Sequence, residues 1–362
     1  MENFVVSARK YRPSTFASVV GQEHITTTLK NAIKTGQLAQ AFLFCGPRGV
    51  GKTTCARILA KTINCTNPTD DMEACNECES CRSFNDMASM NIFELDAASN
   101  NSVDDIRALV EQVQVPPQTG KYKIYIIDEV HMLSQSAFNA FLKTLEEPPS
   151  YAKFILATTE RHKVIATILS RCQVYEFKRI QDIDIVNYLK HIAEQEHVTY
   201  EDAALKLIAR KAEGGMRDAL STFDQLVSFT RGNLTEKACA ENLSMIDTDC
   251  YFELMDAFQR KDVAKVMLKY DEMANRGINN QQFLTGLTEY IRNLIVSLDA
   301  SMHLLLGANE ETNKRYMTQA QQCGLPTLLW YLNLASDADF RYKEAGNKRL
   351  FVEVTLMKLA AG

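Results

Sequence analysis

Three groups of residues in this chain have the types and spacing to do chemistry. The first is the run Gly46, Pro47, Arg48, Gly49, Val50, Gly51, Lys52, Thr53, Thr54, in which two glycines bracket four residues and a lysine and a hydroxyl follow. Glycines let backbone amides turn inward around phosphate oxygens. Lys52 can neutralise outer phosphates, and the Thr53 hydroxyl can complete a magnesium shell at a helix N-terminus. The second group is Asp128 and Glu129, which end the apolar run KIYII. Asp128 is suited to hold magnesium, directly or through water, and Glu129 to orient and deprotonate an attacking water, so the pair points to hydrolysis of a nucleotide.

The third group is Cys65, Cys75, Cys78 and Cys81. Three thiolates spaced C-x2-C-x2-C can converge from one tight loop, and Cys65 can supply a fourth tetrahedral corner. Four thiolates suit zinc, and full cysteine coordination leaves no open position for water, so the site reads as structural. An iron-sulfur run of similar spacing would continue to a further Cys followed by Pro, whereas Cys81 is followed by Arg82.

Elements must place these residues. An apolar strand over Ala41–Cys45 leads into the glycine loop, and a helix follows with Ala56, Leu59, Ala60 and Ile63 at helical spacing. The acid pair then falls at the carboxyl end of a second buried strand, beside the loop. A further strand ends in Thr158 and Thr159, another is expected over Val174–Phe177, and strands alternating with helices imply a parallel sheet. In AEGGMRDALSTFDQLV a glycine pair precedes an amphipathic helix that starts near Arg217. From about residue 250 onward the pattern is successive amphipathic helices, with Phe252, Met255, Phe258, Val266 and Tyr270 as one buried stripe and Trp330 expected in the core.

Composition excludes several classes. A net charge of −5 argues against a protein that coats nucleic acid with its whole surface. The distribution is uneven: residues 1–60 hold eight Lys/Arg against two Asp/Glu, and residues 61–120 hold three against eleven, so a polyanion has a favoured place to sit. No window approaches the roughly 20 apolar residues of a membrane span, and MENFVVSARKYRP lacks an apolar signal core, so a cytoplasmic location is expected. In a reducing compartment the six scattered cysteines, Cys45, Cys55, Cys172, Cys239, Cys250 and Cys323, read as small apolar residues.

The segments RKYRPSTFASVVGQEHI, GPRGVGKTT, IIDEVHMLS, FLKTLEEPPSYAKFILATTE, ILSRC and AEGGMRDALS together resemble the AAA+ clamp-loader ATPases of the bacterial DNA polymerase III gamma/tau type, over the whole chain. The resemblance implies an α/β AAA+ P-loop ATPase core with a parallel sheet over residues 1–180, carrying a zinc module at 65–81. It further implies a small α-helical lid over 181–243 and an α-helical collar, an oligomerisation domain, over 244–362. The tau-type extension for polymerase and helicase binding is absent from the sequence, which reads as a short form or a truncated chain.

Residue by residue, the resemblance implies that backbone near Val19 and Val20, with Tyr11 and Pro13, holds the adenine and that Arg12 reaches the nucleotide. Thr159 resembles the sensor-1 residue, Arg217 the sensor-2 arginine, and Arg171 of SRC an arginine finger that serves a neighbouring subunit's ATP. The implied cofactors are ATP, Mg2+ and Zn2+. The implied partners are a sliding clamp, primed DNA and other clamp-loader subunits in a hetero-oligomeric, pentameric ring, with no membrane. ATP binding would grip and open the clamp, and hydrolysis would release it on DNA. Two other readings are a AAA+ motor of the branch-migration type, disfavoured by the cysteine insert, and a non-catalytic scaffold subunit, disfavoured by intact Lys52, Thr53, Asp128 and Glu129. At Asn100, Asn101 and Ser102 a helix N-terminus could meet DNA phosphates or be plainly capped.

Overall fold

Mostly apolar stretches form the central strands β1 (Ala41–Cys45), β3 (Lys123–Asp128) and β4 (Ala152–Thr158), which are buried on both faces. In the computed structural model the edges are β2 (Ile92–Asp96) and β5 (Gln173–Glu176), which carry exposed polar residues, and all five strands are parallel in the spatial order β2-β3-β4-β1-β5. The structure describes residues 5–362 except 118–119, 244–247, 276, 300, 303–305 and 307–309. The strand expected over Val174–Phe177 begins and ends one residue earlier.

Alternation along β1 divides the core. Phe42 and Phe44 face a layer built from Ile25, Leu29, Ala56, Leu59, Ile63, Ile124 and Ile126. Leu43 and Cys45 face the opposite layer, with Tyr125, Ile127, Phe138, Phe141, Phe154 and Leu156. Full burial of one such Leu or Phe contributes about 1.5–3 kcal/mol relative to exposure. The sheet is therefore a rigid platform whose strand ends cannot shift independently, and the chemistry-bearing residues follow those ends.

Gly46 and Gly49 are required by geometry. A Cβ at Gly46 would lie 2.5 Å from the carbonyl oxygen of Phe177. Gly49 has φ +76° and would bring a Cβ within 3.3 Å of Gly215 and 3.4 Å of Arg217, so the loop and the helix beginning at Met216 could not approach as they do. The helices Asp182–Gln195, Asp202–Lys211 and Met216–Thr230, with a two-residue parallel pair Thr199–Tyr200 and Asn233–Leu234, complete this unit, which extends from residue 1 to 236.

The second compact unit, Lys237–Gly362, is helical, with Thr248–Gln259, Val263–Asn275, Asn280–Ser297, Glu310–Cys323, Leu325–Arg341 and Lys348–Ala361. The expected stripe of Phe252, Met255, Phe258, Val266 and Tyr270 is buried there with Leu284, Ile291, Tyr331 and Leu356. Trp330 departs from the expectation of a core position: it is 41% exposed. In its helix the buried positions are Leu328, Tyr331, Ala335 and Ala338, one stripe of a 3.6-residue period, and Trp330 lies off that stripe. The expected start of the third domain, residue 244, lies outside the described residues. Of the scattered cysteines, Cys45, Cys55 and Cys239 are buried and Cys172, Cys250 and Cys323 half-buried.

Candidate active site and metal centre

The phosphate loop leaves β1 at Gly46 and enters the helix Lys52–Ile63 through Gly51, whose φ of +102° turns the chain at the helix N-cap. Lys52 is buried, and its ammonium donates to the carbonyls of Gly46 (2.8 Å) and Pro47 (2.6 Å). Burial lowers the Lys52 pKa from its ordinary value, opposed by Glu129 and Asp128. Thr53 Oγ1 donates to Asp128 Oδ2 at 2.6 Å, so two oxygens suited to a hard divalent cation already stand side by side. The register explains the meeting: Asp128 ends β3, Thr158 ends β4, and β1, which feeds the loop, pairs with β4.

Glu129 follows in the left-handed region, φ +48°, where a non-glycine residue is held only by its surroundings. Its amide donates to Asp128 Oδ1 (2.9 Å), and its carboxylate Oε2 accepts from both the amide (3.2 Å) and the hydroxyl (2.9 Å) of Thr159. His131, almost fully buried, places Nδ1 3.0 Å from Thr158 Oγ1 and 3.4 Å from Glu129 Oε2, and Nε2 3.4 Å from Glu160 Oε1.

These groups open on a cavity of about 660 Å³. Of the residues expected at a nucleotide, Tyr11, Arg12, Pro13, Val19, Val20, Arg48, Gly49, Val50, Gly51, Lys52, Thr53, Thr54, Asp128, Glu129 and Arg217 all line it. Gly46, Pro47, Thr159 and Arg171 do not. Thr159 reaches the cavity only through Glu129. Arg171 donates instead to Glu146 Oε1 (2.7 Å) and to the carbonyl of Thr167 (2.9 Å), half-exposed on the surface of its own chain.

Sequence reasoning missed part of the wall, notably Arg9, Asp96, Ile180, Tyr188, Met216 and Leu220. The last four sit on or beside lid elements distant in sequence, and no local pattern marks them. Arg9 had a signal, since it belongs to the same basic segment as Arg12. That segment is tied to the lid. Ser7 N donates to Asp224 Oδ2 (2.7 Å), Tyr188 Oη to the Tyr11 carbonyl (2.9 Å), Lys10 Nζ to Glu196 Oε1 (2.6 Å), and Tyr11 Oη to the same carboxylate. Burial lowers the Arg12 pKa from its ordinary value, helped by the Arg57 and Arg217 cations and opposed by Glu94 and Asp128.

At the other end of the helix Lys52–Ile63 the four cysteines meet. Their sulfurs all lie within 4.8 Å of one another, with Cys65–Cys75 at 3.4 Å and Cys75–Cys81 and Cys65–Cys78 at 4.0 Å. Metal–sulfur bonds of about 2.3 Å in a tetrahedron set sulfurs about 3.8 Å apart, so the donor set fits a tetrathiolate metal. Burial pushes the Cys78 thiol up, but hydrogen bonds from Thr66 and from Cys81 outweigh it and hold Cys78 down at about 6; backbone hydrogen bonds also lower Cys75, while burial raises Cys65 and Cys81.

At the helix Val103–Val113 the structure shows the cap that was one of the two alternatives the sequence left open. Ser102 accepts from the Asp105 amide, Asp105 reaches back to Ser102, and Asp104 adds a second carboxylate to the first turn.

A five-stranded parallel sheet with a phosphate loop after β1, an acid pair after β3, and a helical lid folded onto that loop defines a AAA+ ATPase. The sequence matches three families in succession: DNA polymerase III, delta subunit, over residues 21–181; DNA polymerase III clamp loader subunit, ATPase lid domain, over 184–232; and DNA polymerase III subunits gamma and tau domain III over 234–362. It is 34% identical to DNA polymerase III subunit gamma of Buchnera aphidicola, covering 99% of this chain and 97% of that one, and 39% identical to DNA polymerase III subunit tau of Escherichia coli, covering 99% and 56%. The chain belongs to the DNA polymerase III gamma/tau subunit family. It spans 51–62% of the length of the tau-type relatives it matches. Among solved structures, the Thermotoga maritima RuvB Holliday junction branch migration motor aligns with 67% of this chain and 78% of its own at 20% identity and a TM-score of 0.48. Among the described residues, no helix is long and apolar enough to cross a membrane.

Proposed function

We propose that this chain is a clamp-loader ATPase subunit of the bacterial replicative polymerase, using ATP binding and hydrolysis to place a sliding clamp on primed DNA. The observation that carries the reading is the convergence of Lys52, Thr53, Asp128 and Glu129 on one cavity that Arg217 of the lid also lines, in a member of the gamma/tau family. An entering triphosphate draws the Lys52 ammonium from the Gly46 and Pro47 carbonyls, a neutral-acceptor arrangement that a phosphate anion outcompetes. Magnesium, when bound, is held by Thr53 and Asp128 and withdraws charge from the phosphates. Glu129 takes the proton of the attacking water, Thr159 sets the orientation of that carboxylate, and Arg217 couples phosphate charge to the lid. Arg171, outside its own chain's cavity, serves the nucleotide of a neighbouring subunit in a hetero-oligomeric ring.

The metal of the four-cysteine site is zinc, held by Cys65, Cys75, Cys78 and Cys81 in a structural role. The working divisions are an ATPase core to residue 180, a lid over 181–243 and a collar over 244–362, and the protein acts in the cytoplasm. The test is ATP hydrolysis by the chain with candidate partner subunits, with and without clamp and primed DNA. Stimulation by clamp and DNA together, with clamp retained on closed circular primed DNA, is expected. Hydrolysis indifferent to both, with no clamp retained, would remove the clamp-loading reading.

A further inference from the structure

The loop between the first two cysteines carries a buried carboxylate that the metal does not need. Glu73 lies two residues before Cys75, is 9% exposed, and turns inward rather than to water. Its Oε2 accepts from the Phe16 amide at 2.9 Å and its Oε1 from the Ala17 amide at 3.0 Å, while Lys30 Nζ stands 2.8 Å from Oε1. The backbone of Glu73 is fixed in turn by Thr69, whose amide donates to the Glu73 carbonyl (2.9 Å) and whose hydroxyl accepts from the Glu73 amide (3.1 Å). A carboxylate therefore clamps the first two amides of the 3-10 turn Phe16–Ser18, the two donors that such a turn leaves unsatisfied.

The turn leads directly into the nucleotide cavity. Val19 donates its amide to the Phe16 carbonyl (3.2 Å), and Val19 and Val20 then form part of the cavity wall. Val19 also sits against the phosphate loop, with Cγ1 3.9 Å from where a Cβ on Gly51 would be. Phe16 is fully buried in the layer that also holds Val19, Val50 and Cys55. Cys65 meanwhile follows the helix that begins at Lys52. The cysteine loop thus reaches the cavity by two routes: along the helix to the phosphate end, and through Glu73 to the Val19–Val20 wall.

We propose that Glu73 is a positioning residue for the nucleotide base, and that metal binding by the four cysteines sets adenine-nucleotide affinity by fixing the loop from which Glu73 reaches Phe16 and Ala17. The proposal rests on the reading of the cavity as an ATP site and adds to it a source of base-end affinity outside the cavity. Without the metal the segment between Cys65 and Cys75 loses its closure, and the Glu73 carboxylate is no longer held where both amides can donate to it. The wall at Val19 and Val20 then loosens, while the Lys52 end keeps its own loop contacts.

The experiment measures binding rather than turnover, by calorimetric titration of the full chain with ATP and, separately, with inorganic tripolyphosphate, alongside metal content. Glu73→Gln keeps the size of the side chain but gives one of the two amides a donor to face instead of an acceptor. It is expected to weaken ATP binding about tenfold, the scale of one charge-assisted hydrogen bond, while leaving tripolyphosphate binding and metal content unchanged. Lys30→Ala, which spares both amide bonds, should cost ATP affinity less than Glu73→Gln. Chelation of the metal from the unsubstituted chain should reproduce the selective loss for ATP and add little in the Glu73→Gln chain. Should Glu73→Gln fail to fold, Glu73→Asp, which keeps the charge and shortens the reach, carries the same comparison with a smaller selective loss. Unchanged ATP affinity in Glu73→Gln, or an equal loss for ATP and tripolyphosphate, overturns the proposal. Failure of the unsubstituted chain to bind ATP at all removes the cavity reading itself and the proposal with it.

Discussion

Thr159 donates twice to a single oxygen of Glu129, through its amide at 3.2 Å and its hydroxyl at 2.9 Å. A carboxylate that accepts two hydrogen bonds at Oε2 is directed, and its other oxygen is the one left for water. Glu129→Gln keeps this acceptor and loses the base. It should retain ATP affinity and lower hydrolysis by about 10²–10⁴-fold, the usual worth of a general base. Thr159→Val should also spare affinity while lowering kcat, since Thr159 lies outside the cavity wall. Binding titrations beside single-turnover hydrolysis separate the two; loss of affinity in either variant contradicts these roles.

The metal centre makes a stoichiometric prediction. The purified chain should hold one zinc ion, and Cys78→Ser should lose it, because three thiolates leave the tetrahedron formed by Cys65, Cys75, Cys78 and Cys81 incomplete. Elemental analysis finding iron, or finding no metal in a chain with a cooperative thermal transition, would exclude the assignment.

The N-terminal segment is held to the lid by a pH-sensitive pair. Hydrogen bonds from Lys10 and Tyr11 hold the Glu196 carboxylate below its ordinary pKa, and Glu196 in turn raises the Lys10 pKa. A depressed carboxylate stabilises the folded arrangement above its unfolded value, about 4.3, and that contribution fades as pH falls through the folded value. The raised Lys10 pKa contributes fully below the ordinary lysine value, 10.5, and is lost above the folded one. Attachment should therefore be flat across neutral pH and weaken below about pH 4. Amide exchange of residues 7–11 should quicken severalfold in Glu196→Gln at neutral pH; exchange identical to the unsubstituted chain would show that Asp224 and Tyr188 suffice.

Arg171 is tested by mixing. An Arg171→Ala chain keeps a complete phosphate loop, and a Lys52→Ala chain keeps its arginine but cannot hold the phosphates. Loss of an arginine acting in trans costs about 10³-fold or more in rate, so each chain alone should be nearly inactive. Co-assembled, some interfaces join an intact loop to an intact arginine, and hydrolysis should return in proportion to mixed interfaces counted by native mass measurement. Mixed assemblies without recovery would leave Arg171 with its Glu146 partner alone, a structural ion pair.

The motifs that read clearly in the sequence are those whose chemistry needs contiguous residues. A phosphate loop must bend one short stretch of backbone, so Gly46 through Thr54 announce themselves, and three cysteines on one tight turn do the same. Strands buried on both faces are uninterrupted apolar runs, so β1, β3 and β4 were legible to within a residue or so. Helical phase was less so: Trp330 is large and apolar, but the helix around it buries Tyr331 instead, and which stripe turns inward depends on the neighbouring helices. Everything that depends on two distant segments meeting was decided by the tertiary structure. The pairing of both β1 and β3 with β4 brings Thr53 to Asp128 across 75 residues, and the left-handed turn at Glu129 aims its carboxylate at Thr159, 30 residues on. Tyr188 closes on Tyr11 across 177 residues, and Glu73 on Phe16 across 57, with no local pattern to mark either. Local sequence specifies which groups can react; long-range packing alone determines which of them share a site, because hydrogen bonds and burial act through space and not along the chain.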